Sequence, residues 1–273
     1  MQGLFYVQKI YHKSGIVNGF SLRHFYNLIK PNEMRFTNLP QTITERNANL
    51  ITEVLGVFEN GHKGGNYDAY VAYKDKLYNH QFYRQITYGR FQTTEFGNLK
   101  KLLEMYIQSN GDYADYFRPF LDQVGIIRDG VPKSLYLDDA FVDKLKIAGR
   151  EDSAMQEVQD EFFEKIYFQP ALNWFVSQGF LLPLSLLVIF DSHIHSGGML
   201  GFLRKRFSEY PPILGGDEKT WITQYVATRH AWLANYETKE TRASKYRTQT
   251  FKNLIAQDNW NLDKPFTTQG IKF

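Results

Sequence analysis

The stretch that decides the fold is ITEVLGVFENGHKGGNYDAYVAYKD, Ile51–Asp75, in which an apolar helix ends at a carboxylate before a glycine-rich break. Apolar residues recur there at i, i+3, i+4 and i+7, the spacing of one buried helical stripe: Ile51, Val54, Leu55 and Phe58. A capping box of Thr42 with Glu45 would begin this helix. We therefore predict a helix from about Thr42 to Glu59, with Glu59 at the edge of its buried stripe.

The predicted position of Glu59 is electrostatically unusual for a carboxyl group. The negative end of the helix dipole and partial burial both disfavour an ionised carboxylate. A carboxyl group kept protonated in this way suits a general acid that works near neutral pH. A lone glutamate at a helix end is more often an ordinary solvated residue, so an assignment to catalysis needs a second group nearby.

Two strand-like segments follow the glycines, Tyr67–Tyr73 and Arg84–Arg90, and predict a hairpin that folds back over the helix end. Glycosidases place two carboxyl groups across the scissile bond; one protonates the leaving oxygen, and the other activates water or attacks directly. A helix end followed by a hairpin can supply both groups. The candidate partners of Glu59 are Asp68, Asp75 and Glu95.

The composition is that of a globular protein. The 273 residues are 43% hydrophobic and include 22 Phe, 18 Tyr and 4 Trp, enough for one large domain or two small lobes with surface rings that suit sugars. We expect residues 1–40 to form an N-terminal arm or small subdomain and residues 41–273, which contain the candidate carboxyl groups, to form the main domain. Helical patterns dominate the chain after about residue 98, so the predicted class is mainly α (α+β).

Several function classes are disfavoured. Without cysteine there is no thiolate metal site, and we interpret His193 and His195 as capping or core residues, so no metal or cofactor is expected. A net charge of +3 without a dense Lys/Arg run argues against nucleic acid. The longest apolar stretch, Phe180–Phe190, is too short for a membrane span and predicts a core helix. Nothing in the sequence indicates an oligomeric state.

A buried ion network is predicted around Asp191, which ends that most apolar run. A buried aspartate needs a partner, and Arg229 and Arg247 in later helices are the candidates. Such a network would either fix Glu59 and tune its proton affinity or serve as a structural ion pair at a lobe interface. The spacing alone leaves both interpretations open.

Six segments in order resemble one known family. They are Phe58-Glu59-Asn60; Ile86-Thr87-Tyr88-Gly89 running to Asn98; Gln156 to Pro170; Phe190-Asp191 followed by His195-Ser196-Gly197; Gly215-Gly216-Asp217-Glu218 with Arg229; and Asn259 to Pro265. The likeness covers residues 45–265 and is to the family 46 chitosanases, within the lysozyme-like glycoside hydrolases. It implies a two-lobed fold with a small β-sheet and a substrate cleft between the lobes. It also implies inverting endo-hydrolysis of β-1,4-linked amino-sugar chains.

The resemblance assigns roles to individual residues. Glu59 matches the general acid, and Thr87 matches a threonine that positions the attacking water. Asp191, Arg229 and Arg247 match a buried acid–arginine network behind the acid. Asn98 lies where the family often has a substrate-binding aspartate. Further expected substrate contacts are Glu95, Arg90 and Tyr88.

The general base is where this sequence departs from the family pattern. Counting back from Thr87, the position of the family's catalytic aspartate falls near Phe82. We prefer Asp75 as the base, because loop length varies more easily than chemistry; Glu95 is the alternative. If neither carboxylate reaches the water, the chain is a glycan-binding protein without catalysis.

The substrate and setting are also open. Chitosan is a polycation and favours an acidic cleft, whereas Asn98 and the net charge of +3 make peptidoglycan a competing substrate. A third hypothesis is an interaction module whose N-terminal arm docks a partner. No signal peptide pattern is visible at the N-terminus, but a glycan substrate predicts an extracellular or periplasmic protein.

Overall fold

A computed structural model describes residues 34–76, 81–237 and 239–273. The chain divides into two units, Met1–Met34 and Arg35–Phe273. The predicted N-terminal arm therefore lies almost entirely outside the described residues. The elements below all belong to the second unit.

Residues 35–37 pack on the helical unit. The Phe36 ring lies 4.6 Å from that of Phe168, and the Thr37 hydroxyl donates to the Glu164 carboxylate at 2.7 Å. The last residues of the predicted arm thus contribute to this core.

Helix α1 spans Glu45–Asn60 and carries the predicted apolar stripe into the core. Its capping box uses Thr44 and Asn47, not Thr42 and Glu45: the Thr44 hydroxyl accepts from the Asn47 backbone N–H, and the Asn47 side chain accepts from that of Thr44. Gly61 ends the helix with a φ of 78°, in the left-handed region that glycine favours. Glu59 therefore lies in the last helical turn, as predicted.

A small antiparallel sheet follows in the order β1-β2-β3. Its strands are β1 (Tyr70–Lys76), β2 (Phe82–Tyr88) and β3 (Thr93–Thr94). The predicted hairpin is present, with its strands shifted by two or three residues from the predicted bounds. Tyr88 and Ile86 point into the core, because alternation along β2 puts them on one face.

Short elements and helices build the first lobe around this sheet. A π-helical turn, Glu95–Leu99, leads into α2 (Lys100–Gln108). After these come α3 (Ala114–Phe117), a 3-10 turn (Arg118–Phe120), β4 (Ile126–Arg128), β5 (Val131–Lys133) and α4 (Asp139–Glu151). The apolar side chains of α2, α3 and α4 form one cluster with Ile86 and Tyr88.

One long helical run connects the two lobes. It consists of α5 (Ser153–Phe163), a π-helical turn (Glu164–Phe168) and α6 (Gln169–Ser177). Helix α5 packs against α2 and α4, and the turn and α6 pack against α7. The side chains of this helical run therefore pack into the cores of both lobes.

Helix α7, Pro183–Ser196, is the centre of the second lobe, and every residue from Pro183 to Ser192 is buried. It packs against α1, α6, α9 and α11. The remaining elements of this lobe are α8 (Gly201–Arg204), a 3-10 turn (Pro212–Leu214), α9 (Glu218–Ala234), α10 (Lys239–Ala243), α11 (Lys245–Ala256), β6 (Thr267–Thr268) and β7 (Ile271–Lys272).

The mainly α (α+β) class with a small sheet and two helical lobes is confirmed. Helix α9 has a side-chain cap at its start, since the Asp217 carboxylate accepts from the Thr220 N–H at 2.8 Å. Within the described ranges, no helix is both long enough and apolar enough to cross a membrane.

Candidate active site

The carboxylate of Glu59 emerges at the C-terminal end of α1 and meets a guanidinium group. Its Oε1 lies 2.8 Å from Nη1 of Arg247, and about a third of its side chain, 30%, is exposed. Glu59 is thus more exposed than expected, and its carboxyl group faces a guanidinium group at the end of the helix.

Behind this pair lies the predicted ion network. Asp191 on α7 is fully buried; its Oδ1 accepts from Nη1 of Arg247 at 2.9 Å, and its Oδ2 accepts from Nη1 of Arg229 at 2.5 Å. Burial raises the pKa of Asp191, but Arg229 and Arg247 outweigh it and hold that pKa below its ordinary value. The network therefore brings two guanidinium groups and two carboxyl groups together, counting Glu59.

Tyr246, which the sequence pattern did not indicate, contacts the C-terminal end of α1. The Tyr246 hydroxyl donates to the carbonyl of Phe58 at 2.6 Å, and Arg247 Nη2 donates to the same oxygen at 3.1 Å. A carbonyl at a helix C-terminus lacks an intrahelical partner. These two donors fix the backbone directly before Glu59.

The glycine-rich loop after Glu59 is held against a second buried cluster. Arg90 Nη1 donates to Asp160 at 2.7 Å and to the Tyr67 hydroxyl at 2.9 Å. Gly65 lies so close to Arg90 that an added Cβ would stand 2.6 Å from its Cγ and from its backbone oxygen. This contact explains the glycine at position 65 and fixes the loop between α1 and the hairpin.

Replacing Gly65 by Ala is expected to lower the free energy of unfolding by about 2–4 kcal/mol, from the positive φ of 66° and the clash with Arg90. Gly61→Ala is the matched control, because its φ is 78° but its Cβ would meet nothing within 4 Å; about 1 kcal/mol is expected there. Urea unfolding of both variants measures the difference. Equal losses would contradict the contact.

Thr87 lies on β2, opposite Val71 of β1 and Thr94 of β3. It is on the face away from Ile86 and Tyr88, because successive strand residues alternate. Its side chain is largely buried, and no group among the described residues forms a hydrogen bond with its hydroxyl. The hydroxyl is therefore available to a water molecule on the face of the hairpin opposite the core.

Asp75 lies on β1 directly opposite Tyr83, and the next pair along is Lys76 with Phe82. The family pattern expects its base near Phe82, so residue 75 lies one position from that place in the strand register. Paired residues on the two strands are about 5 Å apart. Alternation puts residue 75 on the same face as Thr87, about 13 Å along the strand direction. The side chain of Asp75 lies outside the described part of the chain.

Glu95 occupies a different setting from the one expected of a base or substrate contact. It is 1% exposed, accepts from the backbone N–H groups of Leu135 at 2.8 Å and Ile86 at 3.2 Å, and accepts from the Ser134 hydroxyl. Burial raises its pKa, although these donors act against the shift. A carboxylate so enclosed ties the segment after β5 to β2 and is inaccessible to a substrate.

Tyr88 and Arg90 are also placed in the interior. The Tyr88 hydroxyl donates to the Leu145 carbonyl at 2.7 Å in the first core, and Arg90 is 2% exposed in its cluster with Asp160. Neither placement suits direct contact with a polysaccharide. Asn98 is half-buried and donates to the Tyr167 hydroxyl at 3.1 Å; it lies inside the π-helical turn and does not cap a helix.

A family model for glycosyl hydrolase family 46 matches residues 54–266. Among curated proteins, a chitosanase of Bacillus subtilis (strain 168) is 26% identical over 134 residues, covering 45% of this chain and 48% of the relative. The match thus spans about half the length of that relative. The family match includes Glu59, the hairpin and the buried network.

Solved structures of low sequence identity share the fold. A Gynuella sunshinyii GH46 chitosanase in complex with chitotetraose has a TM-score of 0.68 at 22% identity, with 85% of this chain and 98% of that chain covered. Native chitosanase from Bacillus subtilis MY002 has a TM-score of 0.67 at 20% identity, with 83% and 97% covered.

Proposed function

Because the chain belongs to glycosyl hydrolase family 46, we propose that it is an inverting endo-glycosidase that cleaves β-1,4-linked glucosamine polymers of the chitosan type. The observation that carries the proposal is the Glu59 carboxylate, held at a helix end by Arg247 and, through it, by Asp191 and Arg229. This is the arrangement that the family resemblance implies for its general acid.

Glu59 is the proposed acid that protonates the leaving oxygen. The same Nη1 of Arg247 contacts both Glu59 and Asp191, so Asp191 takes up part of the guanidinium charge. Asp191 therefore fixes the position of the guanidinium group that contacts Glu59.

The proposed attack comes from a water molecule on the hairpin face that carries Thr87. Asp75 removes the proton of this water; because Thr87 lies about 13 Å from residue 75 along the strand direction, its hydroxyl orients the attacking water through an intervening water molecule. In an inverting enzyme the two carboxyl groups stand about 6.5–9.5 Å apart to leave room for this water. Asp75 is the proposed base because Glu95 is enclosed by its donors and the strand register brings residue 75 beside Tyr83.

Release of reducing ends from chitosan and from peptidoglycan, measured side by side, tests the proposed activity. The proposal expects release from chitosan. Release from peptidoglycan alone would keep the acid–base chemistry and change the substrate, and the presence of Asn98 in place of an aspartate would then explain the change.

Asp75→Asn is expected to lower kcat on chitosan about 10²- to 10⁴-fold, because the amide cannot accept the proton of the attacking water. Asp68→Asn is the matched control, since Asp68 precedes the same hairpin and lies 3.9 Å from Arg150; activity within about threefold of the unchanged protein is expected. Initial rates of reducing-end release measure both. Full activity of Asp75→Asn would remove this residue from the mechanism.

A non-catalytic glycan-binding protein is the second candidate function. The observation that favours it is Phe82, which is 60% exposed at the position that holds the base in the family pattern. It predicts binding of chito-oligosaccharides without hydrolysis, and the same affinity for Asp75→Asn. Calorimetric titration beside the hydrolysis assay separates the two, because measurable turnover dependent on Asp75 excludes a pure binding protein.

An extracellular or periplasmic location follows from the proposed substrate, a polymer too large to be a cytoplasmic metabolite. Detection of the natural protein in cell fractions tests this, and its confinement to the cytoplasm would contradict it.

A further inference from the structure

We propose that His195 is a positioning residue for the hydrolysis: its imidazole accepts a hydrogen bond that fixes Arg229 and so anchors the chain of charges ending on Glu59. The inference rests on the proposed function and deepens it. It concerns a residue that the sequence suggested only as a cap or core residue.

His195 lies at the end of α7, one turn after Asp191, and therefore on the same side of the helix. Its Nδ1 lies 3.3 Å from Nη2 of Arg229, while Nη1 of that arginine contacts Asp191. Both terminal nitrogens of the Arg229 guanidinium group thus form hydrogen bonds with residues of one helical turn. An arginine always donates, so Nδ1 of His195 accepts and the neutral ring carries its proton on Nε2.

Arg229 depends on His195 because it has few other contacts. It is fully buried, and among the described residues its Nε has no hydrogen-bond partner. Asp191 and His195 are the only described groups to which its side chain donates. Without the imidazole, Asp191 would be the one described hydrogen-bond partner left for the buried guanidinium group of Arg229. The charge of Arg229 would then attract the Asp191 carboxylate, which also pairs with Arg247.

The charges around His195 keep it neutral. Asp191 on its own helix, Arg229 on α9 and Arg247 on α11 face the ring, and Glu59 on α1 stands beyond Arg247. Burial and the two arginines lower the pKa of His195 to about 4, although Asp191 acts against them. A proton added below that pH would turn the acceptor into a donor facing a guanidinium group.

Three variants test the proposal on soluble chito-oligosaccharides. His195→Phe keeps a ring but no acceptor and is expected to lower kcat about 10- to 100-fold with KM changed less than about threefold. His195→Asn places an amide oxygen near the position of Nδ1 and is expected to restore kcat to within about threefold. His193→Phe, on the same helix, is the matched control, because among the described residues His193 does not contact the network.

The pH profile adds a readout that a merely structural role would not move. The ratio of kcat for His195→Asn to kcat for the unchanged protein is expected to be constant between about pH 5 and 7. This ratio is expected to rise below about pH 4.5, because His195 becomes protonated there and an asparagine does not. A constant ratio down to pH 3.5, or an equal loss of kcat in His193→Phe and His195→Phe, would overturn the proposal.

A measurement without substrate separates this inference from the proposed function. Hydrogen exchange of the Arg229 guanidinium protons, followed by ¹⁵N NMR, is expected to be slow in the unchanged protein and in His195→Asn and at least about tenfold faster in His195→Phe. Unchanged exchange in His195→Phe would overturn the anchoring role, whether or not chitosan is cleaved. Absence of hydrolysis with the expected exchange would instead overturn the proposed function alone.

Discussion

Glu59→Gln is expected to fold normally and to lose about 10²- to 10⁴-fold in kcat on chitosan, because the amide keeps the shape of the side chain but cannot protonate the leaving oxygen. The amide oxygen can still accept the hydrogen bond that Arg247 donates to Glu59 at 2.8 Å. Positioning is therefore preserved while the acid is removed. Steady-state rates of reducing-end release, with Tm as the folding check, measure the effect.

Glu53→Gln is the control for this substitution. Glu53 lies on the same helix, is 42% exposed and pairs with Lys63 at 3.7 Å, so its replacement removes a carboxylate without touching the site. A kcat within about twofold of the unchanged protein is expected. If Glu59→Gln turned over as fast as Glu53→Gln, the general acid would have to be another residue.

Asp191→Asn is expected to have the largest effect on stability, a loss of about 3–5 kcal/mol in the free energy of unfolding. The substitution leaves the fully buried Arg229 without a counter-charge and removes one of the two carboxylates around Arg247. Unfolding in urea measures it. Since the folded-state pKa of Asp191 is lowered, this stabilisation is present above about pH 4. It is lost only as the pH falls through the lower folded-state value.

Asp258→Asn provides the matched control, because Asp258 also pairs with a cation, Lys219 at 3.2 Å, but is 74% exposed. Exposed pairs contribute about 0–1 kcal/mol. Equal losses for the two substitutions would mean that the Asp191 network does not stabilise the fold. Asp191→Asn is also expected to lower the rate of hydrolysis, because the guanidinium group of Arg247 that contacts Glu59 loses its second carboxylate partner.

The sequence predicted the parts of the site that depend on local pattern. The apolar stripe of α1 placed Glu59 in the last helical turn because a 3.6-residue period and a glycine stop are strong signals. Asp191 was expected to pair with arginine because a carboxylate in the most apolar run of the chain must be neutralised when buried. In these cases the chemistry of a single segment decides its surroundings.

Other features depend on residues far apart in the chain. Glu95 is enclosed by Ser134 and Leu135, about 40 positions away, so its sequence neighbours could not show that it is inaccessible. Asn98 follows Gly97, and an asparagine after a glycine is typical of a residue that caps a helix. The π-helical turn, however, already begins three residues earlier, at Glu95. Tyr246 reaches the Phe58 carbonyl from 188 residues away. The local sequence carries no signal for such contacts.

The measurement that tests the central claim most directly is ¹H NMR of the anomeric protons during the first minutes of chitosan hydrolysis. An inverting reaction with Glu59 as acid and a separate base predicts that the new reducing ends appear first as the α-anomer and then mutarotate. First appearance of the β-anomer would show retention and contradict the separate base. No new reducing ends from a folded protein would contradict hydrolysis of this polymer altogether.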